Sequence, residues 1–482
     1  YGFTLQKDRQ YDQAIKFFQM ALKLDDRNLR TYNNLGKAHL DNGTIKKAKE
    51  IFYDGLKIDR DYFPILKNLV DTCILMREFS EAEHIISSML AKDPESAEAY
   101  NALGSIYEKR GDFEKSEKYL NKALKLNPDQ FNAKLNLAAI KQHYGEIYEA
   151  KRLLEELLKE KTGSPALNNN LSHIYLTLGK FKNGWTKYEY RWKVFPAVTV
   201  LWPIKDRELW AGQKDKRIVL WREQGIGDDI IFLSLIPEAF KITKTLSVYI
   251  DPRLIPLCER SMPGIKFKPY TPGRIDGEEF DYHLPMGSLP RLFRNSEKDF
   301  DRVVRGYLKA DPKRVESLRD ELGLKGKKVI GISWKSFEAM NIIKKNMELM
   351  DLSKVFNDLD IRLVNLQYGD VDKEIREFKK ATGIEVLQCA SVDNRDDLDG
   401  LAALIEMCDL VVSTSNITIH LAGALGKDTW VLLPYVAHFW WLIDRTDSIW
   451  YPSLKLYRQK KFLDWDSVTL GLRQDLMNKF YT

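Results

Sequence analysis

Small and large apolar residues recur through the first third of the chain with a period of about 34 residues, the length of a helix-pair repeat. Stepping from Ala14 by this period reaches Ala48, Ala82, Ser116, Ala150 and Gly184, all small. Stepping from Gly2 reaches Gly36, Val70, Gly104, Ala138 and Ser172. A further register holds large apolar residues: Tyr11, Ile45, Phe79, Phe113, Ile147 and Phe181. Pro94 and Pro128 share one more equivalent place, between units.

The physics of stacked helix pairs accounts for this pattern. Small residues belong where two antiparallel helices cross closely. Large ones plug the gap to the next unit, and a proline stops the second helix. The pattern predicts a tetratricopeptide α-solenoid over residues 1–195, with an incomplete first unit and further repeats upstream of Tyr1. Two positions before one small register stand Asn34, Asn68, Ala102, Asn136 and Asn170. An amide side chain both donates and accepts, so a row of them on a concave face can clasp an extended peptide backbone. The plainer reading is that Asn is common at this repeat position. An aromatic stretch closes the array: Trp185, Tyr188, Tyr190, Trp192 and Phe195, followed by Trp202 and Trp210. These rings are expected to wedge the last repeat against the next domain.

From Lys216 the pattern changes to short β-branched runs alternating with helical ones, which predicts parallel strands with crossover helices. The strands are read at Arg217–Trp221, Leu246–Ile250, Val329–Trp334, Ile361–Gln367, Leu410–Ser413 and Thr429–Leu433, with a helix over Ile230–Phe240. Lys325-Gly326-Lys327-Lys328 marks the expected hinge, giving Rossmann-like halves at 196–325 (acceptor side) and 326–482 (nucleotide side). Ligands collect at the carboxyl ends of such strands.

Composition narrows the function. A chain of 482 residues holds about three domain-sized units. A net charge of +6 without long basic runs does not point to nucleic acid, and it suits an anionic nucleotide diphosphate. Cys73, Cys258, Cys389 and Cys408 form no Cys-x-x-Cys pair, so neither a disulfide framework nor zinc is expected, and a cytoplasmic location is. No apolar run reaches membrane-spanning length.

Three segments carry candidate chemistry. Glu223-Gln224-Gly225-Ile226-Gly227-Asp228-Asp229 follows a strand and precedes a helix. Asp228 there is either a general base for an acceptor hydroxyl or an N-cap. Gly331-Ile332-Ser333-Trp334-Lys335-Ser336 ends another strand. Lys335 either neutralises a diphosphate leaving group or is one more exposed lysine. In the third segment Ser415, Asn416, Thr418 and His420 surround a helix start, where hydroxyls and unpaired N–H groups make an anion site.

In this order and spacing the three segments resemble the GT-B glycosyltransferases of the heptosyltransferase and O-linked N-acetylglucosamine transferase groups. The nearest likeness is to bacterial proteins, flagellin glycosyltransferases among them, that join a tetratricopeptide array to such a module. Leu284–Pro290 (holding Ser288), Leu366–Asp370, Asp397–Ile405, Asp444-Arg445 and Trp450–Ser453 extend the likeness to nearly the whole chain. The resemblance implies an inverting transfer with Asp228 as base and Lys335 on the donor diphosphate. It implies phosphate contacts from Ser333, Ser415, Asn416, Thr418 and His420, and nucleoside contacts from Gln367 and Tyr368. Gln224, Gly227 and Ser288 fall on the acceptor side, and Asn34, Asn68, Asn136 and Asn170 line a peptide groove like the asparagine ladder of the O-linked transferases. The donor that the resemblance implies is a nucleotide-sugar, with no other cofactor. The acceptor it implies is a protein, flagellin-like or otherwise secreted. Two departures bear on the donor sugar: Ser415-Asn416-Ile417 stands where heptosyltransferases carry Asp-Thr-Gly, and His438–Trp441 lacks an Asp and an Arg that relatives often show. Asp-x-Asp pairs at 358/360, 370/372, 397/399 and 464/466 are chance-frequent in such a chain, and no metal dependence is expected. The rival reading is a repeat scaffold with a degenerate transferase half, or transfer to a lipid or polysaccharide.

Overall fold

A computed structural model describes residues 4, 10–194, 207–272, 274–275, 279–336 and 346–481. Gly2, Phe195 and Trp202 lie outside the described residues. The chain forms two compact units, Tyr1–Glu160 and Lys161–Thr482.

The first unit is a run of antiparallel helices: α1 (Tyr11–Leu24), α2 (Leu29–Asp41), α3 (Ile45–Ile58), α4 (Phe63–Leu75), α5 (Phe79–Lys92), α6 (Ala97–Arg110), α7 (Phe113–Leu126), α8 (Phe131–His143) and α9 (Ile147–Glu160). The large-residue register is the opening residue of α1, α3, α5, α7 and α9. The small registers are where the helices touch: Ala14, Ala48, Ala82, Ser116 and Ala150 are fully buried. At Gly104 a methyl group would lie 2.6 Å from Leu120 Cγ, so only a bare backbone lets α6 meet α7.

In the second unit, α10 (Pro165–Thr177) and α11 (Phe181–Tyr188) continue the repeat pattern, and a short α12 (Arg191–Val194) follows. The array's sequence pattern therefore outlasts the first unit, and its final helix pair belongs to the second.

The rest is α/β. Strand β1 (Arg217–Trp221) leads to α13 (Ile226–Leu233), α14 (Ile236–Ile242), β2 (Thr245–Ile250), α15 (Ile255–Ser261), β3 (Lys266–Pro269), β4 (Tyr282–Pro285) and α16 (Leu289–Phe293). Next come α17 (Pro312–Glu321), β5 (Val329–Ser333), α18 (Leu349–Phe356), β6 (Arg362–Asn365), α19 (Asp372–Thr382), β7 (Val386–Leu387) and α20 (Leu398–Met407). The chain ends with β8 (Leu410–Thr414), α21 (Ile417–Leu425), β9 (Thr429–Leu433), β10 (Leu454–Arg458) and α22 (Trp465–Phe480). Two sheets result, ordered β3-β2-β1-β4 and β10-β9-β8-β5-β6-β7, and every pairing is parallel.

Two expectations need correction. The helix read as Ile230–Phe240 starts at Ile226 and breaks near Ser234, so the N-cap is Gly225 and Asp228 sits inside the first turn. The change of lobe comes before the lysine-rich segment. Helix α17 packs on α20, with Arg314 bonded to Asp397 and Arg319 Nη2 donating to Met407 O at 2.7 Å. Pro312–Glu321 thus belongs with the second sheet, although a reading by hinge composition assigns it to the first.

Candidate active site

Each sheet reverses its build direction at one strand. After β3 the chain returns to the other side of β1, and after β7 to the other side of β5. Such switch points open a crevice beyond the carboxyl ends of the strands. The three candidate segments fall there: Glu223–Asp228 after β1, Ser333–Lys335 after β5, and Thr414–Asn416 after β8.

The first segment is anchored from behind. Arg191, almost fully buried, pairs with Glu223 at 2.6 Å and Glu189 at 3.0 Å and donates to Ser288 Oγ at 2.9 Å. Ser288 Oγ in turn donates to Glu189 at 2.8 Å. Gln224 Nε2 donates to the Tyr188 hydroxyl. Ser288 and Gln224 therefore tie the last repeat helices to the loop after β1 in this structure. Burial pushes the Glu223 carboxyl up against the pull of Arg191. Asp229 pairs with Arg222 at 2.7 Å, yet its deep burial holds its carboxyl well above the usual range. Asp228 is half-buried and accepts from Trp440 Nε1 at 3.2 Å.

The second and third segments are knitted to one another. The Gln367 side-chain oxygen accepts from Ser333 Oγ at 3.0 Å, Trp334 N at 3.0 Å and Lys335 N at 2.9 Å. Its amide donates to Tyr368 O at 3.0 Å. Gln367 thus holds the loop after β5, while Tyr368 Oη donates to Ser336 Oγ at 3.3 Å. Asn416 caps α21 by accepting from Thr418 N at 3.0 Å and donates to Ser333 Oγ at 2.7 Å and Lys335 O at 3.2 Å. Thr418 Oγ1 donates to Leu366 O at 3.4 Å. Ser333, Asn416, Thr418 and Gln367 are buried, so these side chains shape the crevice and orient its backbone amides. The Lys335 ammonium pairs with Glu374 of α19, whose other oxygen accepts from Trp334 Nε1 at 2.8 Å.

His420 is buried. Its Nδ1 is hydrogen-bonded to Tyr451 Oη at 3.2 Å, and its ring stacks on Trp441 with centroids 5.6 Å apart. A methyl group on Gly227 would lie 3.1 Å from His420 Cδ2, so α13 and α21 approach closely here. Trp441 Nε1 donates to Ser415 Oγ at 3.0 Å. Trp440, Trp441, Tyr451, Glu374 and Arg191 were not among the residues picked out by motif. Their partners are distant in sequence, and only the matching stretches around His438–Trp441 and Trp450–Ser453 hinted at them.

In the first unit Asn68 Nδ2 donates to Asn33 Oδ1 at 2.8 Å, and Asn136 Nδ2 to Asn101 Oδ1 at 3.0 Å and Ser105 Oγ at 2.9 Å. The asparagines brace neighbouring first helices along one face. Asn34 lies half-buried on α2, and Asn170 half-buried on α10 in the second unit. A hollow of about 50 Å³ beside this face is lined by Lys67, Asp71, Glu98, Asn101 and Gln130.

Among the described residues one group has metal-ligand proximity, Cys73, Glu78 and Glu81, and the Lys49 ammonium bridges both glutamates at 2.7 Å. Each of the Asp-x-Asp pairs has a structural partner, Asp358 accepting from Asn357 Nδ2 at 2.7 Å. Asp397 caps α20, Asp399 pairs with Arg260 at 2.7 Å, Asp464 caps α22, and Asp370 accepts from Asp372 N at 3.3 Å. No described helix is long and apolar enough to cross a membrane.

Tetratricopeptide repeat models match residues 39–106 and 97–130. Cell division cycle protein 16 homolog of Homo sapiens is 27% identical over 113 residues, 21% of this chain and 18% of that protein. A tetratricopeptide repeat protein from Parabacteroides merdae aligns with 40% of this chain and 76% of its own at 19% identity, TM-score 0.31. A thermophilic repeat protein of Thermus thermophilus aligns with 36% and 95% at 21% identity, TM-score 0.34. Protein FlbA of Caulobacter vibrioides is 30% identical over 415 residues, 81% of this chain and 69% of that protein. The match runs far beyond the repeats, and the chain belongs to the family of Protein FlbA.

Proposed function

We propose that this chain is a glycosyltransferase of GT-B architecture, moving a sugar from a nucleotide-activated donor to a hydroxyl with inversion and without a metal. The observation that carries the reading is topological. Three chemically equipped segments, distant in sequence, lie at the switch points of two parallel sheets, and Gly227 of one lobe touches His420 of the other. In the proposed step the acceptor oxygen bonds to the anomeric carbon and its proton passes to Asp228. The bond from that carbon to the diphosphate oxygen breaks, and the nucleotide leaves with the electron pair. Backbone amides at the start of α21, which Asn416 and Ser333 orient, face the departing charge, with Ser415 at the same strand end. Lys335 reaches that charge by exchanging Glu374 for phosphate. Tyr368 borders the nucleoside end.

The repeat array supplies protein–protein contact, and we infer that it recruits a protein acceptor, with flagellin-like secreted proteins the leading expectation. Release of free nucleoside diphosphate from UDP-, GDP- or ADP-sugars in the presence of acceptor tests the reading. Asp228→Ala and Lys335→Ala should each lower turnover about a hundredfold. Near-wild-type rates in either variant remove that assignment. The pairing of Lys335 with Glu374 favours a second reading, a scaffold whose transferase half no longer turns over, and a chain that binds no nucleotide would support it.

A further inference from the structure

We propose that His420 is a positioning partner of Asp228 and not a ligand of the donor phosphates. This assignment rests on the transferase reading above and names a different task for one of its residues.

Three contacts lead to it. The ring edge bearing Cδ2 and Nε2 lies against residue 227, next to Asp228; a methyl group there would be 3.1 Å from Cδ2 and 3.6 Å from Nε2. The opposite ring nitrogen is occupied by Tyr451 Oη at 3.2 Å, so Nε2 is the nitrogen turned toward the α13 start. The turn Phe439–Trp441 then holds both groups with consecutive indoles: Trp440 donates to Asp228 Oδ1 at 3.2 Å, and Trp441 stacks on the imidazole. One short turn thus fixes the carboxylate and the imidazole together.

The surroundings fit a positioning role. Burial holds the hydroxyl of Tyr451, the residue that orients His420, well above its usual range, and Tyr307 and then the charge of Asp228 add to this. Behind Tyr451, Tyr307 Oη donates to Ile230 O at 2.6 Å, anchoring the row to the helix that carries Asp228. Tyr451 bonds the imidazole directly, while Asp228, one residue beyond Gly227 on α13, and Tyr307 stand one step removed. Meanwhile the Asn416 amide and the Thr418 hydroxyl at the α21 start are turned toward Ser333 and Leu366. A carboxylate that must take a proton from a hydroxyl gains from a fixed orientation, because small misplacements are costly in rate.

The test uses the full chain. Calorimetry with UDP, GDP, ADP and CDP first identifies a nucleoside diphosphate that binds. His420→Ala should bind it within about twofold of wild type while Lys335→Ala binds at least about tenfold more weakly, and His420→Ala should lower kcat at least about tenfold with donor KM little changed. Equal weakening in His420→Ala and Lys335→Ala would overturn the assignment and make His420 a phosphate ligand. Nitrogen NMR adds a readout that needs no substrate. Asp228→Asn should move the His420 Nε2 resonance, whereas Asp466→Asn on the outer helix should not. An unmoved resonance in Asp228→Asn also overturns the proposal. If no nucleoside diphosphate binds the wild-type chain, the transferase reading falls and takes this assignment with it.

Discussion

Arg191→Met is the substitution whose effect the structure specifies most closely. Its guanidinium is 7% exposed, and the partner Glu223 side chain is 2% exposed. The same guanidinium serves Glu189 and Ser288. Removing it leaves one carboxylate in the interior without a cation and a second with half its partners. Breaking a buried pair from one side costs about 3–5 kcal/mol, because the surviving charge has lost its solvent and its partner. Unfolding entropy near 2.1 cal/mol/K per residue, applied to the unit Lys161–Thr482, makes each kcal/mol worth roughly 1.5 °C. Arg191→Met should therefore lower the melting transition of the second unit by about 4.5–7.5 °C in a calorimetric scan and leave that of the first unit in place. Arg191→Met combined with Glu223→Gln and Glu189→Gln should recover most of the loss, since the pair's net worth against neutral groups is small. A single variant melting within about 1.5 °C of wild type would refute the argument. So would a triple variant no better than the single one, because the cost would then not come from stranded charge.

Other expectations concern packing, acid sensitivity and the asparagine row. Gly104→Ala places a methyl group 2.6 Å from Leu120 Cγ and should destabilise the first unit by about 1–3 kcal/mol in denaturant unfolding, with partial recovery in Gly104→Ala/Leu120→Ala. Burial drives His173 down to about 4, among the rings of Tyr188, His438 and Phe439. Because its folded value is depressed, its stabilising effect is complete above about 6.5 and fades as pH falls toward 4. Melting of the second unit should drop over that window, and His173→Phe should flatten the drop. Asn68→Ala and Asn136→Ala remove bonds between neighbouring first helices and should each cost about 0.5–1.5 kcal/mol by thermal melting. If the asparagines also bind an acceptor, replacing all four of Asn34, Asn68, Asn136 and Asn170 weakens protein modification while nucleotide binding persists.

The repeat was legible because each unit touches only its neighbours, so packing repeats in the sequence at the same period. Ala14, Ala48, Ala82, Ser116 and Ala150 are one contact written five times. Strands β1 and β9 were equally plain, being continuous β-branched or apolar runs. β3, with the sequence Lys-Phe-Lys-Pro, and the two-residue β7 offered no such run, and only pairing with β2 and β6 makes them strands. The glycines of Gly225-Ile226-Gly227 read as loop, yet the helix starts between them. Local propensity disfavours Gly227 in a helix, but a methyl group there would lie 3.1 Å from His420 Cδ2 of the other lobe, a tight fit that a larger side chain meets only if the imidazole shifts. The site shows the same limit. Arg191 meets Glu223 across 32 positions, Lys335 meets Glu374 across 39, and Trp440 meets Asp228 across 212. Motifs place the strand ends, whereas long-range pairs decide which side chains remain to do chemistry.

The two departures from the resembling families turn out to be a single contact. Ser415 stands where those proteins carry a carboxylate, and its hydroxyl accepts from Trp441, in the stretch where an Asp and an Arg are missing. A carboxylate at 415 would need a cation to balance it beside the α21 start; a hydroxyl and an indole N–H satisfy one another without charge. Losing one group while keeping the other would strand a charge, so the substitutions are intelligible as a pair. The consequence falls on Asp228. With a neutral residue at 415, Asp228 is the carboxylate held by the Phe439–Trp441 turn, and in the proposed reaction a donor's phosphates would meet less negative charge there. Restoring Ser415→Asp alone should therefore weaken nucleoside diphosphate binding in calorimetry. Tighter binding in that variant would show that the neutral pair is a loss and not an accommodation.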